Sequence, residues 1–577
     1  MATKNDFIKI LDEMALLLDL KGANPYKIRA FQNASRTIQS LSVDIEELVR
    51  SGKITQIKGI GKGIADVIKE IVETGGLKEL EAMKAEIPTG LLEMVKIPGM
   101  GPKKIKAVWK KLDITTIGEL EYACKENRLR DLEGFGQKTQ EKILKGIEFL
   151  KRYSNRHLLS RALNEANEFV RVVSQISDVE KCEITGSLRR WLETIQEIEL
   201  VIQTNNSSKN AIKQQIFKLP QTEKIFEDVD TKITLLLKSG FRAIIWFATP
   251  QNYAIILLKS TGTEGHIRAL QQHAQNIGLT FSQNYLVKND STPIECPDES
   301  SIYNAIHLPF IPPELREGKD EVEKAVHSKL PELIKKEDLK GIIHVHTNYS
   351  DGAHSLKEMA EACQERGFHY MVVCDHSRSA HYANGLSEER IKQQQTEISE
   401  LNEHFSNFRI LSGIELDILP DGSLDYDDEV LASFDIVIAS IHSRLNMTEE
   451  EATNRLIRAM ENPFVTILGH PTGRLLLARE GYPVNMHQII EKAAELGVAI
   501  ELNANPHRLD IDWRFLRLAK EQGVKISINP DAHYIKGLDD VIYGLGIARK
   551  GWQEKSDVLN CLSADELIAF ARARRGK

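Results

Sequence analysis

From residue 340 onward, short β-branched runs alternate with longer amphipathic stretches, and this alternation is the tightest constraint on what the chain can form. The runs are 342–346, 370–375, 409–416, 436–442, 465–470, 498–504 and 525–533. A strand apolar on both faces must be covered on both. Helical patterns such as 355–366 and 487–496 follow the runs, so the region predicts a parallel sheet closed by helices, a distorted (β/α)7 barrel. Six of the seven runs carry His, Asp or Glu at or near their C-terminal ends: His344 and His346, His376, Glu415, His442, His470, and Asp531 with His533. The run 498–504 ends in Asn503 instead. Strand C-termini in such a barrel converge on one mouth. With Asp351 from the first loop, six imidazoles and three carboxylates meet there, enough for two or three ions. A lone strand histidine is more often a hydrogen-bonded core residue than a ligand. Here 12 of the 17 histidines lie from His344 to His533, which favours metal for the set.

Imidazole and carboxylate without thiolate suit Zn²⁺, Mn²⁺ or Fe²⁺. Clustered divalent ions meet the needs of phosphoester hydrolysis. Asp375, beside His376, is a candidate to orient a ligand. Arg378, Arg474 and Arg508 follow strand ends and are candidates to grip phosphate, although a loop arginine is the commoner role. The segments HVHTNYSDG, CDHS, GIE, ASIHS, LGHP and NPDAH resemble, in order across 340–575, the motifs of the PHP (polymerase and histidinol phosphatase) domain. That resemblance implies one ion on His344, His346, Glu415 and Asp531. It implies a second, bridged by Glu415, on His442 and His470, and a third on Asp351, His376 and His533.

At 577 residues the chain has room for several domains. A net charge of -8 confines any nucleic-acid surface to a local patch. Six cysteines without a C-x-x-C pair, and no apolar leader or spanning run, predict a protein of a reducing cytosol with no membrane partner.

The first 150 residues repeat the pattern apolar-x-Gly-apolar-Gly at 57–61, 97–101 and 132–136, each ahead of a lysine-bearing helix. One such turn could join any two helices, but three within 80 residues resemble helix-hairpin-helix motifs. Gly59, Gly61 and Lys62, Gly99, Gly101, Lys103 and Lys104, and Gly134, Gly136 and Lys138 are the candidate contacts to a nucleic-acid backbone. Lys106, Lys110 and Lys111 extend the basic face of the second helix, which could also be merely solvated. Asn24-Pro25-Tyr26-Lys27 with Arg29 resembles the opening of the DNA-end-binding domain of family X DNA polymerases.

That second resemblance continues to residue 317. Gly186-Ser187-Leu188-Arg189-Arg190, followed by Glu193-Thr194-Ile195, is similar to the family X nucleotidyltransferase motif, in which a Gly-Ser turn and an arginine, here Arg190, receive the triphosphate. The family's Asp-x-Asp pair for two Mg²⁺ reads Glu197-Ile198-Glu199. An extra methylene moves each carboxylate by roughly 1.5 Å, in a site where Mg²⁺ tolerates little distortion. The third Asp maps to Ile244, the family's sugar-contacting Tyr-Phe-Thr-Gly segment to Lys259-Ser260-Thr261-Gly262, and the lyase lysine to Val67. The resemblance therefore implies a polymerase core that has lost its chemistry.

The expected organisation is a helical DNA-end-binding part (1–80) and a helical part with two further hairpins (81–150). A degenerate α+β nucleotidyltransferase palm (151–248), a thumb-like part (249–317), a linker (318–338) and a PHP barrel (339–577) follow. Pro309, Pro312 and Pro313 predict an ordered strap before the linker. The leading expectation is a metal-dependent DNA phosphoesterase, a 3′-5′ exonuclease or AP endonuclease, acting as a monomer on gapped, nicked or 3′-ended DNA. An active gap-filling polymerase with a proofreading PHP domain, a small-molecule phosphatase and a non-enzymatic scaffold are the alternatives.

Overall fold

The computed structural model describes residues 4–40, 45–57, 59–97, 99–130, 132–151 and 156–575. The chain divides into two compact units, 1–150 and 151–577.

The first unit is helical. Its apolar spacing buries Phe7, Leu11 and Met14 of helix Lys4–Lys21 with Ile68 and Ile71 of helix Lys62–Thr74 and Ile105 and Val108 of helix Pro102–Leu112 in one core. Val67 packs against that core as an ordinary apolar residue.

The second unit begins with a mixed sheet of β1 (Lys181–Thr185), β2 (Glu197–Gln203), β3 (Thr222–Asp228), β4 (Lys232–Leu237) and β5 (Arg242–Ala248) in the order β1-β2-β5-β4-β3. Only β2 and β5 run parallel. Helices Tyr253–Thr261, Glu264–Asn276 and Glu299–Ala305 and a small antiparallel sheet form the thumb-like part. The strap that follows is ordered: Leu308, Ile311 and Leu315 are buried, and fully buried Arg316 donates to Ile311 O at 2.8 Å and pairs with Glu299. Residues 318–338 include the helix Glu321–Val326, whose Glu321 bonds His266 at 2.7 Å.

Seven parallel strands complete the unit: β6 (Gly341–Val345), β7 (Tyr370–Val373), β8 (Arg409–Asp417), β9 (Ile436–Ser440), β10 (Ile467–Leu468), β11 (Ala499–Asn503) and β12 (Ile526–Asn529), paired in sequence order. The first and last meet at a Val345–Ala532 bridge, where His346 N donates to Ala532 O at 2.9 Å, so the sheet closes. Alternation along each strand sets what faces inward. Tyr370, Val372, Leu411, Ile436, Ile438 and Ala499 form an apolar floor with Leu567 and Ile568 of helix Ala564–Arg575. The same inward rows then turn polar at their C-terminal ends, in Glu415, Glu501 and Asn503.

Candidate metal centre

The mouth of the barrel gathers all nine residues that the sequence singled out. Glu415 is the hub. Its Oε1 lies 2.9 Å from His470 Nε2, 3.0 Å from His442 Nε2 and 3.4 Å from His344 Nε2, and its Oε2 lies 3.0 Å from His376 Nδ1 and 3.6 Å from His346 Nε2. Asp531 Oδ1 stands 3.1 Å from His346 Nε2 and 3.6 Å from His344 Nε2. Asp351 is 3.4 Å from His533 and 3.6 Å from His376. Three groups have ligand atoms within 4.8 Å of one another: His346, Asp351, His376 and His533; His344, His346 and Asp531; and His376, Glu415 and His442. These cut across the three sets that the resemblance implies, with His346 and His376 each belonging to two.

Strand alternation alone would not place His344 here, because Ile343 already faces the barrel floor. A register shift between Ile342 and Val345, with His344 in the left-handed region at φ +67°, turns two successive side chains inward. Asp531, on the closing edge, is also left-handed at φ +52°. Such backbone persists only where the surroundings hold it, and it clusters at functional sites.

The electrostatics fit a cation. Burial alone would push the Glu415 and Asp531 carboxyls up, yet the facing imidazoles hold both well below the usual carboxylate range. Burial and the neighbouring His533 and His376 rings push His346 down to about 3. Burial opposes protonation of His442, but Glu415 and Asp417 outweigh it and raise the imidazole to about 10. His344 Nε2, His346 Nδ1 and Asp351 Oδ2 are buried without a hydrogen-bond partner, although each faces the cluster. Buried polar atoms left in that state are costly, and ligation by a divalent ion would satisfy them.

Two orienting carboxylates were missed in the sequence. Glu501 Oε1 accepts from His344 Nδ1 at 2.6 Å, and its Oε2 accepts from His470 N at 2.7 Å. Asp417 holds His442 Nδ1 at 2.5 Å and accepts from Ser379 Oγ at 2.8 Å. For Glu501 the signal was present: a carboxylate inside a run apolar on both faces is too costly to bury unpaired. Asp417→Asn is expected to weaken Mn²⁺ binding about 10- to 100-fold, as loss of a group behind a histidine ligand does, measured by titration calorimetry.

The other candidates take different places. Asp375 bonds Thr347, Ser350 and Gln394, so it fixes the loop bearing Asp351 and orients no histidine. Arg378 is committed to Asp425 O at 2.6 Å and lies 3.5 Å from Glu388. Arg474 is engaged by Asp512, Glu193 and the Arg508 carbonyl. Of the three arginines expected to grip phosphate, Arg508 is the one whose side chain reaches the cluster, with Nε 3.6 Å from Asp531 Oδ2.

At the palm, Glu199 pairs in parallel register with Ile244 and Glu197 with Arg242. Arg242 Nε sits 3.1 Å from Glu197, and burial raises the Glu199 carboxyl above its ordinary range. A Cβ on Gly186, itself at φ +68°, would fall 2.2 Å from Glu199 Oε1, so the longer side chain occupies the space beside the turn. Arg190 donates to Thr261 O at 2.6 Å and pairs with Glu317 at 3.0 Å. Ser187 lies in the four-residue helix Gly186–Arg189.

In the first unit, Gly59, Gly99 and Gly134 are all left-handed, at φ +100°, +92° and +84°. Gly61 and Gly101 cap the following helices with extended backbone, and Gly136 directly precedes helix Gln137–Lys151. Lys62, Lys103 and Lys138 are exposed, and Lys104 Nζ lies 5.6 Å over the Phe135 ring. Lys58 and Pro98 of these motifs lie outside the described residues.

Four family profiles match in sequence order: a helix-hairpin-helix domain (2–77), a SAM-like helix-hairpin-helix tandem (91–148), a DNA polymerase beta thumb (256–317) and a PHP domain (343–505). A "Probable phosphatase" of Thermoanaerobacter sp. (strain X514) is 31% identical over 201 residues, 33% of this chain and 77% of that protein. The "DNA polymerase/3'-5' exonuclease PolX" of Bacillus subtilis (strain 168) is 40% identical over 572 residues, 99% of either chain. With hairpins, palm, thumb and barrel all in place, the chain belongs to the PolX family, the family X DNA polymerases with a C-terminal PHP domain.

Proposed function

We propose that this chain is a metal-dependent DNA phosphoesterase that removes nucleotides from 3′ ends or incises beside a lost base, and that its palm no longer polymerises. The observation that carries this reading is the contrast between two sites in one unit. The barrel mouth brings nine candidate ligand residues together, whereas the palm has Ile244 where a third carboxylate would stand and Arg242 on one of its two glutamates.

The nine residues would hold two or three ions of Zn²⁺, Mn²⁺ or Fe²⁺, which supply activated water and offset the charge of the scissile phosphate. Glu501 and Asp417 keep His344 and His442 turned toward the cluster, and Arg508 stands beside it with a cationic fork for a phosphate oxygen. The hairpins would hold gapped, nicked or 3′-ended DNA by its backbone. The same reading has the protein act as a monomer in the cytosol; none of its described helices is long and apolar enough to cross a membrane.

The PHP relatives named as phosphatases favour one second reading, hydrolysis of a small phosphate ester. The three glycine turns ahead of lysine-bearing helices argue for DNA over such an ester.

One gel tests both halves: an end-labelled primer on a gapped template with Mn²⁺, with and without the four nucleotides. Bands that shorten equally in both lanes are expected. Bands that lengthen with nucleotides would show that Glu197 and Glu199 still support synthesis, and turnover of a small ester faster than of DNA would reverse the substrate ranking.

A further inference from the structure

We infer that the palm supplies a positioning residue to the nuclease: Glu193 acts through Arg474 on the loop that carries Arg508. The inference rests on the phosphoesterase reading above and gives a task to the nucleotidyltransferase motif that the palm retains.

Glu193 closes that motif and is 7% exposed, facing the barrel. Its Oε1 receives Arg474 Nη2 at 2.9 Å. Arg474 stands four residues after His470, and the rest of its guanidinium is spent on one loop: Nη1 bonds Asp512 at 2.9 Å, Nε bonds the Arg508 carbonyl at 3.0 Å, and Nη2 also bonds the Leu509 carbonyl. Thr472 ties the same two segments through Asp510, at 2.9 and 3.1 Å.

The loop so pinned carries Arg508, whose Nε is 3.6 Å from Asp531 Oδ2, where Asn503 Nδ2 donates at 3.1 Å. With Oδ2 held from that side, Oδ1 is the oxygen turned to His344 and His346. Contact therefore runs from the palm to a residue of the metal cluster without a gap.

The charges show why Glu193 matters. Three acids, Glu193, Asp512 and Asp510, face Arg474, and Arg514 competes for one of them, lying 2.7 Å from Asp512. Without Glu193, Arg474 keeps only Asp510, which Thr472 already engages, and Asp512, which it must share with Arg514 in a poorly solvated interface, so its hold on the Arg508 and Leu509 carbonyls loosens. The palm segment cannot drift to compensate. Trp191 packs so closely on Gly546 that a Cβ there would fall 2.1 Å from its ring, and Lys550 Nζ donates to Arg190 O at 3.0 Å.

The test is a double-mutant cycle in the full-length protein, read on exonuclease kcat and KM with a labelled single-stranded oligonucleotide and Mn²⁺. Glu193→Ala is expected to lower kcat about 5- to 30-fold, with KM for DNA within about twofold, the usual range for a residue acting through neighbours. Arg508→Ala lowers it at least as much, and the double variant is expected to match Arg508→Ala alone. Losses that multiply would overturn the proposal, as would a Glu193→Ala enzyme with normal kcat. Arg171→Ala, which breaks an exposed palm ion pair, is the control for a general effect of palm substitution. Should Glu193→Ala fold poorly, Glu193→Gln keeps the shape and is expected to show a smaller loss with the same non-additivity. If the wild type cleaves no DNA, the phosphoesterase reading falls, and the same cycle on Mn²⁺ affinity decides the positioning role by itself.

Discussion

Glu415→Ala is expected to reduce DNA cleavage by about a thousandfold or more, with DNA affinity changed by less than about twofold. Five imidazoles stand 2.9 to 3.6 Å from its two oxygens, and the side chain is 1% exposed. Removing a buried carboxylate from that position leaves several ring nitrogens facing one another with no acceptor between them, and takes away the group that joins the separate ligand sets. Metal stoichiometry should fall together with activity, which distinguishes loss of the centre from loss of one catalytic contact. DNA affinity should persist because the three hairpins belong to the other compact unit. Cleavage of an end-labelled oligonucleotide in Mn²⁺, beside metal content and a binding isotherm, checks all three. A Glu415→Ala protein that still trims would place the chemistry outside the barrel.

Much of this centre was legible because its information is local. A strand's inward row follows from a period of two, and a polar residue that ends an apolar run marks the barrel mouth. What stayed hidden depended on partners distant in sequence. The left-handed turn at His344 goes with a register shift against the neighbouring strand, where Ile342 pairs with Met371 but Val345 with Val373. Glu501 lies inside a run that otherwise reads as buried strand and Asp417 directly follows one, and only the histidines they face explain them. Arg474 resembled a phosphate-gripping loop residue because Glu193, which engages it, is 281 positions away. At the palm, Ile244 stands across from Glu199 in the parallel pairing.

The largest effect on DNA binding is expected from valine at Gly61, Gly101 and Gly136 together, a loss of about a thousandfold with the fold intact. In each hairpin the first glycine is required by the chain itself, since its φ of +84° to +100° excludes a β-branched residue. The second is not. Gly61 and Gly101 have ordinary φ of −80° and −86°, and a Cβ at any of the three positions meets nothing within 4 Å. Internal packing therefore gives no reason for glycine there. Close approach of an external group gives one, and the positions open or immediately precede helices whose free N–H groups suit a phosphate. Each phosphate held by backbone N–H groups is worth about 1.5 kcal/mol or more, so three such losses amount to roughly three orders of magnitude. Anisotropy of labelled gapped DNA at several salt concentrations checks this, and the salt slope should flatten as fewer phosphates are engaged. Gly59→Val should instead unfold its hairpin, visible as lost helical signal. A triple variant that binds DNA as tightly as the wild type would mean that Lys62, Lys103, Lys104 and Lys138 hold the backbone by charge alone, with the glycines kept for some other reason.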